Sequence, residues 1–310
     1  MHKTPVVIDC DPGIDDIAAL LLAKHVDAFD VKAITTVAGN VGLENTTINA
    51  LQLLTFIDWD LPLGKGAANP LVRPLETAED VHGESGMRDL TLPKTDKKPV
   101  CDPAWEVLYQ AARDNKGQLD IITLGPLTNV AIALTKYPEL TDWVRRIVIM
   151  GGAFLAGNTT AAAEFNVYVD PEAAKRVFTS GIPFYLCPLD VTHQGYITVD
   201  ELQEVKQLGS KEAVFFSDLL SQYIELGHKQ TNNCGVPLHD PLALLFAADE
   251  SYFTVKECFI GVETQGSITC GKTITDCYSD KKLDNNGFYV QTVDRGVFIG
   301  HIKRLMALYS

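Results

Sequence analysis

Val6-Val7-Ile8-Asp9-Cys10-Asp11-Pro12-Gly13-Ile14-Asp15-Asp16 is the stretch whose reading decides the fold of this 310-residue chain. It opens with a short apolar run, the pattern of a buried strand. Four carboxylates follow within eight residues, interrupted by a Pro-Gly turn. Beyond the turn, Asp15-Asp16-Ile17-Ala18-Ala19-Leu20-Leu21-Leu22-Ala23 reads as a helix with acids in its first turn. The two-residue spacing puts Asp9 and Asp11 on one face of extended chain. Asp15 and Asp16 lie across the turn, within reach of Asp11.

Four acids at the end of one buried strand repel each other, and buried charge must be paired or coordinate a metal. No Lys or Arg occurs between Thr4 and Lys24. A hard divalent cation with oxygen ligands, Ca²⁺ or Mg²⁺, meets the need. A helix-capping cluster, with one Asp as N-cap and the others solvated, is the alternative.

Outward from this stretch, strand and helix signals alternate. Strands are expected at 32–38, 61–66, 119–124, 146–150 and 182–186, and helices at 43–57, 103–113, 127–135 and 171–178. A β-turn-α rhythm of this kind implies an α/β fold: an open, mostly parallel, Rossmann-like sheet with helices on both faces. Residues 67–98 form a long, charged loop, a kind of segment that is more often functional than idle. After Thr192 the pattern becomes a helical insertion, with helices expected at 199–207, 211–229 and from His239. Strands at 253–264, 272–278 and 287–294 and a helix at 296–308 close the chain. One domain over 1–310 is the simplest organisation; two domains with a break near 195 is the other.

Composition narrows the function classes. The net charge is −14, with 46% hydrophobic and 21% charged residues. Nucleic-acid binding needs a basic footprint and is not expected. Seven scattered cysteines without a Cys-x-x-Cys argue against a zinc site or a disulfide framework. No run approaches the ~18 apolar residues of a membrane helix, and the amino terminus enters a strand without a signal-peptide pattern. The expected location is cytoplasmic, with no membrane partner.

In an open parallel sheet, ligands bind beyond the carboxyl ends of the strands. The polar residues cluster there: Asp9 to Asp16, then Asn40, then Gly125-Pro126-Leu127-Thr128-Asn129, then Met150-Gly151-Gly152 with Asn158, Glu164 and Asn166. His239-Asp240 opens a late helix. Glu164-Phe165-Asn166, read as extended chain, places two polar side chains on one face, suited to vicinal hydroxyls. His82, between glycines in the long loop, suits a lid. These segments hold no phosphate loop and no cationic side chain, so the expected ligand is neutral and hydroxyl-rich. Signatures for a dinucleotide site or a serine nucleophile are missing too.

Together these motifs resemble the inosine-uridine-preferring nucleoside hydrolases, and within them the non-specific bacterial ribonucleoside hydrolases. The likeness spans the chain through Asp9 to Asp16, Val37-Ala38-Gly39-Asn40, Val81-His82-Gly83-Glu84, the Gly125 to Asn129 motif, Met150-Gly151-Gly152-Ala153, Glu164-Phe165-Asn166 and His239-Asp240. The resemblance implies hydrolysis of ribonucleosides to base and ribose, in nucleoside catabolism or salvage. It implies one Ca²⁺ held by Asp11, Asp16, Asp240 and the Leu124 carbonyl. Asp11 is then the general base and His239 the leaving-group acid. Asp15, Asn40, Asn158, Glu164 and Asn166 would hold the ribose, Met150 would pack beside it, and His82 would contact substrate. A homodimer or homotetramer is expected on the same ground. The positions matching a Gln and a Tyr of pyrimidine-selective members are Gly227 and Thr231, which favours use of both purine and pyrimidine nucleosides. A metal-dependent phosphohydrolase and a non-enzymatic nucleoside- or sugar-binding protein are the rival readings.

Overall fold

The structure, a computed structural model, describes residues 3–224, 235–276 and 283–309. Its strands are β1 (Thr4–Cys10), β2 (Phe29–Thr36), β3 (Leu63–Lys65), β4 (Leu119–Thr123), β5 (Val144–Met150), β6 (Phe184–Cys187), β7 (Tyr196–Ile197), β8 (Val236–Pro237), β9 (Phe253–Val262), β10 (Thr273–Asp276) and β11 (Gly287–Val293). Nine of them form one sheet in the order β10-β9-β11-β6-β5-β4-β1-β2-β3, while β7 and β8 pair separately. From β3 across to β11 all neighbours run parallel. Only β9 and β10 break the pattern, each joined antiparallel. The expected α/β sheet is present, with its antiparallel strands at one side.

Strand β1 sits where the strand order reverses, between β2 and β4. A crevice opens beyond the strand ends at such a switch point. Alternation along β1 feeds both faces: Val6, Ile8 and Cys10 join one apolar core and Val7 the other. The pairing of Asp9 with both Thr35 and Thr123 sets the acid-bearing end of β1 level with its neighbours.

The helix Ile14–Ala23 is buried at every position. Its sequence is apolar all round apart from Asp15 and Asp16, as a helix enclosed on all sides must be. It packs against the helix His239–Ala248, which is buried from Asp240 through Ala247. Both helices carry their acids in the first turn, where the helix dipole and free N–H groups favour negative charge. Helices Val199–Lys206 and Lys211–Ser221 precede the second of them and are the insertion's described helices before it. Thr198 and Glu201 form a reciprocal capping box that fixes the start of Val199–Lys206. No described helix is long and apolar enough to cross a membrane.

Three local expectations are corrected. The 67–98 segment is not wholly loop, since Glu79–His82 makes one helical turn. Glu164-Phe165-Asn166 is not a strand: Glu164 is the N-cap of the helix Phe165–Val169. The helix begun at Lys211 ends at Ser221, and 225–234, including Gly227 and Thr231, lie outside the described residues.

Candidate active site

A cavity of about 330 Å³ opens at the carboxyl end of the sheet. Asp15, Asn40, His82, Leu124, Met150, Asn158, Glu164, Asn166, His239 and Asp240 all line it. Thus ten residues singled out from sequence, spread over 226 positions from 15 to 240, meet at one place. Asp11 and Asp16 lie behind this lining and are fully buried. Tyr223, Phe165 and Pro237 also line the cavity and carried no sequence signal for it.

Asp11 is held in a slot. The Asn40 backbone N–H donates to its Oδ2 at 2.7 Å. A Cβ on Gly39 would fall 2.1 Å from Oδ2, and one on Gly125 2.3 Å from Oδ1. Only glycine lets the two turns close on the carboxylate this tightly. Asp11 Oδ1 is buried and has no hydrogen-bond partner. Asp16 is better satisfied: Oδ1 accepts from the Asp11 N–H, and Oδ2 from the Gly13 N–H and the Asn40 side-chain amide.

Carboxylate oxygens of Asp15, Asp16 and Asp240 lie within 4.8 Å of one another. No described ion pair involves these three or Asp11. Burial, followed by the charge of Asp16, pushes Asp11 well above the usual carboxylate range and Asp15 to about 8. Asp240 rises strongly through burial and the charges of Asp15, Asp16 and Asp11. The donors are all hard oxygens, one of them orphaned, in a site without cationic side chains. They fit a hard divalent cation. The geometry groups Asp15 with Asp16 and Asp240, where the expected ligand set had Asp11 in that place and Asp15 on the sugar.

Opposite the acids, Glu164 uses its carboxylate on the backbone. It accepts N–H bonds from Gly152, Asn166 and Val167 at 2.8, 2.8 and 3.1 Å. Those bonds explain why the chain turns into a helix there instead of running extended. Asn166 donates its amide to the Leu124 carbonyl at 2.7 Å and to the Met150 carbonyl at 3.2 Å. It thereby ties the ends of β4 and β5 together. Asn158 is exposed at the mouth, its Oδ1 accepting from the Phe165 N–H.

Two histidines mark the far side. His82 is 5% exposed, so it is a wall of the cavity and not a solvated loop residue. Its Nδ1 accepts the Ile14 N–H at 3.1 Å, and Gly13 carries no Cβ where one would lie 2.3 Å from that nitrogen. The proton of the neutral ring is therefore on Nε2, 3.0 Å from the Tyr223 hydroxyl. Burial, then the Arg88 charge, lowers His82 to about 3. Burial and the neighbouring histidines His193 and His82 lower His239 to about 3 as well.

Some motif residues expected on the rim serve behind it. Asp9 accepts from Thr35 and from the Asn129 amide. Asn129 also donates to the Thr36 carbonyl and accepts the Ala67 N–H. Thr128 donates to Asp170, whose other oxygen caps the helix Pro171–Phe178. These buried bonds lock the turns that shape the cavity.

Fold and site define an α/β enzyme with a carboxylate-rich cavity at the switch point of its sheet. The chain belongs to the inosine-uridine preferring nucleoside hydrolase family, whose model matches residues 6–300, and is a nucleoside hydrolase. It is 41% identical over 309 residues to the pyrimidine-specific ribonucleoside hydrolase RihA of Escherichia coli O7:K1, covering 99% of each chain. The protein of that name from Shigella flexneri matches equally. Among solved structures, a plant nucleoside hydrolase superposes with a TM-score of 0.92 at 32% identity, covering 99% of both chains. A purine-preferring ribonucleoside hydrolase from Gardnerella vaginalis gives 0.92 at 29% identity over 98% of both.

Proposed function

We propose that residues 1–310 form one catalytic domain that hydrolyses the N-glycosidic bond of purine and pyrimidine ribonucleosides with one Ca²⁺ bound. The observation that carries this reading is the unpartnered Oδ1 of Asp11 beside three crowded carboxylates, with no Lys or Arg in the cavity lining. When bound, the cation supplies Lewis acidity to a water and to the sugar diol. Asp11, Asp16, Asp240 and the Leu124 carbonyl would hold it, with Asp15 close enough to share the task.

Asp11 then accepts a proton from the attacking water at Oδ1, acting as general base. Asp15, Asn40, Asn158, Glu164 and Asn166 bind and orient the ribose, and Met150 packs against it. As the C1′–N bond breaks, the sugar gains oxocarbenium character, as in glycoside hydrolysis. The surrounding carboxylates favour that positive charge. His239 faces the base, with Tyr223 and His82 across from it.

No Lys or Arg lines the described cavity, which favours a neutral nucleoside over a phosphorylated substrate. Use of both base classes is supported by relatives named for either one. Location in the cytoplasm and assembly as a homodimer or homotetramer complete the proposal; light scattering tests the latter.

Incubation with inosine, uridine and their 2′-deoxy counterparts, with a reducing-sugar readout, tests the function. Both ribonucleosides should release ribose only while calcium is present, and the deoxy substrates should fail for lack of a hydroxyl. Full turnover after exhaustive chelation would remove the metal from the scheme. Turnover of uridine alone would restrict the base preference.

A further inference from the structure

His239 makes one described hydrogen bond, and it points away from the cavity. Its Nδ1 lies 2.8 Å from Thr192 Oγ1. Thr192 is fully buried at the end of the helix Leu189–Thr192 and does not line the cavity. The hydroxyl has a single proton. Its other possible acceptor, the Leu189 carbonyl, is 3.5 Å away, at the limit of a hydrogen bond. The 2.8 Å contact offers that proton the better hydrogen-bond geometry; the reverse arrangement, with Nδ1–H donating to Oγ1, leaves the proton only the 3.5 Å contact. A Thr192 hydroxyl that donates to Nδ1 obliges the neutral ring to carry its own proton on Nε2, the nitrogen left for a ligand.

The next residue fixes the plane of the ring. The His193 imidazole meets His239 edge-on, with centroids 5.6 Å apart and planes at 64°. His193 Nε2 is buried without a partner. An unsatisfied buried nitrogen calls for an explanation. Here the ring meets His239 as a packing edge, and no described hydrogen bond to Nε2 competes for its orientation.

We propose that Thr192 is a positioning residue that sets the tautomer of His239, with His193 as the backing ring, so that an Nε2–H faces the departing base. This rests on the nucleoside-hydrolase reading above. In the step concerned, the C1′–N bond breaks and its electron pair moves to the base. The Nε2–H stabilises that developing charge by donating a hydrogen bond, and its proton stays on the imidazole, in place of the proton transfer that the family resemblance implied for His239. A neutral imidazole at a helix N-terminus is known to serve as such a donor, and His239 opens the helix His239–Ala248. The base takes its proton from solvent on release.

The test compares Thr192→Val, which keeps shape and removes the hydroxyl, with Thr192→Ser, which keeps the hydroxyl. Each is assayed on inosine and on 4-nitrophenyl riboside, whose leaving group needs no such stabilisation. Thr192→Val should lose ~10–100-fold in kcat on inosine, the usual range for removing a residue that orients a site ligand. Its kcat on the nitrophenyl substrate should stay within about twofold, and Thr192→Ser should restore inosine turnover. Imidazole ¹⁵N shifts of His239, assigned by their loss in His239→Asn, should report the Nε2–H form in the wild type and Thr192→Ser, and a mixture in Thr192→Val.

Equal losses on both substrates, with the tautomer unchanged, would show a merely structural role and overturn the proposal. So would wild-type rates in Thr192→Val. A wild type that leaves inosine intact would overturn the functional reading instead, while the ¹⁵N shifts still decide whether Thr192 sets the tautomer.

Discussion

The two ends of the sheet bury aspartates in opposite ways. At the amino end, Asp120 on β4 is fully buried and receives Arg145 through two nitrogens and Arg146 through one. Arg146 reaches on to Glu250 and to the Ala247 carbonyl, at the last turn of the helix His239–Ala248. At the carboxyl end, Asp11, Asp15, Asp16 and Asp240 are buried too and meet no described cationic side chain. The same helix thus carries a neutralised cluster at one end and an uncompensated one at the other. Burial alone does not separate structural from functional charge; the presence or absence of a partner does.

This contrast can be broken most sharply at Asp11. Asp11→Asn should lower kcat by ~10²–10⁴-fold, the range for losing a general base. The metal-free variant should be at least as stable as the wild type, because one of several mutually repelling charges is gone. A near wild-type rate on inosine would contradict the role. At the other end, Asp120→Asn should cost about 3 kcal/mol in urea unfolding, because buried Arg146 loses its buried carboxylate and keeps only half-exposed Glu250 and the Ala247 carbonyl. The low end of the usual range applies, since Arg145 is 44% exposed and readily solvated. Its kcat, measured on folded enzyme, should stay within about twofold. A large kcat loss there would mean the two ends are coupled.

Calcium sharpens the comparison further. At 100 times its dissociation constant it should stabilise the wild type and Asp120→Asn alike by ~2.7 kcal/mol. Asp16→Asn and Asp240→Asn should lose most of that gain in thermal unfolding with calcium.

The smallest effect is on pH. The raised carboxyls, Asp15 at about 8 and Asp9 at about 7, bind more protons folded than unfolded. Their contribution to stability is therefore lost as pH rises through those values. His82 and His239, lowered to about 3 from the usual 6.5, work in the opposite sense below 6.5 and not above it. Between pH 6.5 and 8 these two groups alone should cost the metal-free protein roughly 2 kcal/mol. Saturating calcium should flatten that slope; an unchanged slope would detach the cluster from the metal.

The acid cluster was legible because Asp11, Asp15 and Asp16 are neighbours in the chain and lack a cation among them. His239-Asp240 was legible as a second acidic helix start. The sheet followed from the alternation of apolar runs and helical patterns. What could not be read was the direction each polar side chain takes at a strand end. Asp9, Thr128 and Asn129 share the rim motifs yet turn inward to bind neighbouring turns. Glu164 looked like part of an alternating strand because Glu is not among the usual N-cap residues, and of its three backbone acceptor bonds the one from Gly152 exists only in the folded chain. Tyr223 reads as an ordinary core aromatic near the end of a helix until His82, 141 positions away in the chain, is placed against its hydroxyl. The pairing of Asp120 with two arginines on the next strand is likewise a product of register.

The width of the sheet has a further consequence for how copies of this chain meet. One border strand, β3, has three residues, ends on Lys65 and follows Pro62; the other, β10, has four described residues. Short, charged or proline-flanked borders offer a second molecule little free backbone to zip onto. At the β3 border this steers any approach of a second copy toward helices and loops and keeps that end of the ladder closed to runaway growth.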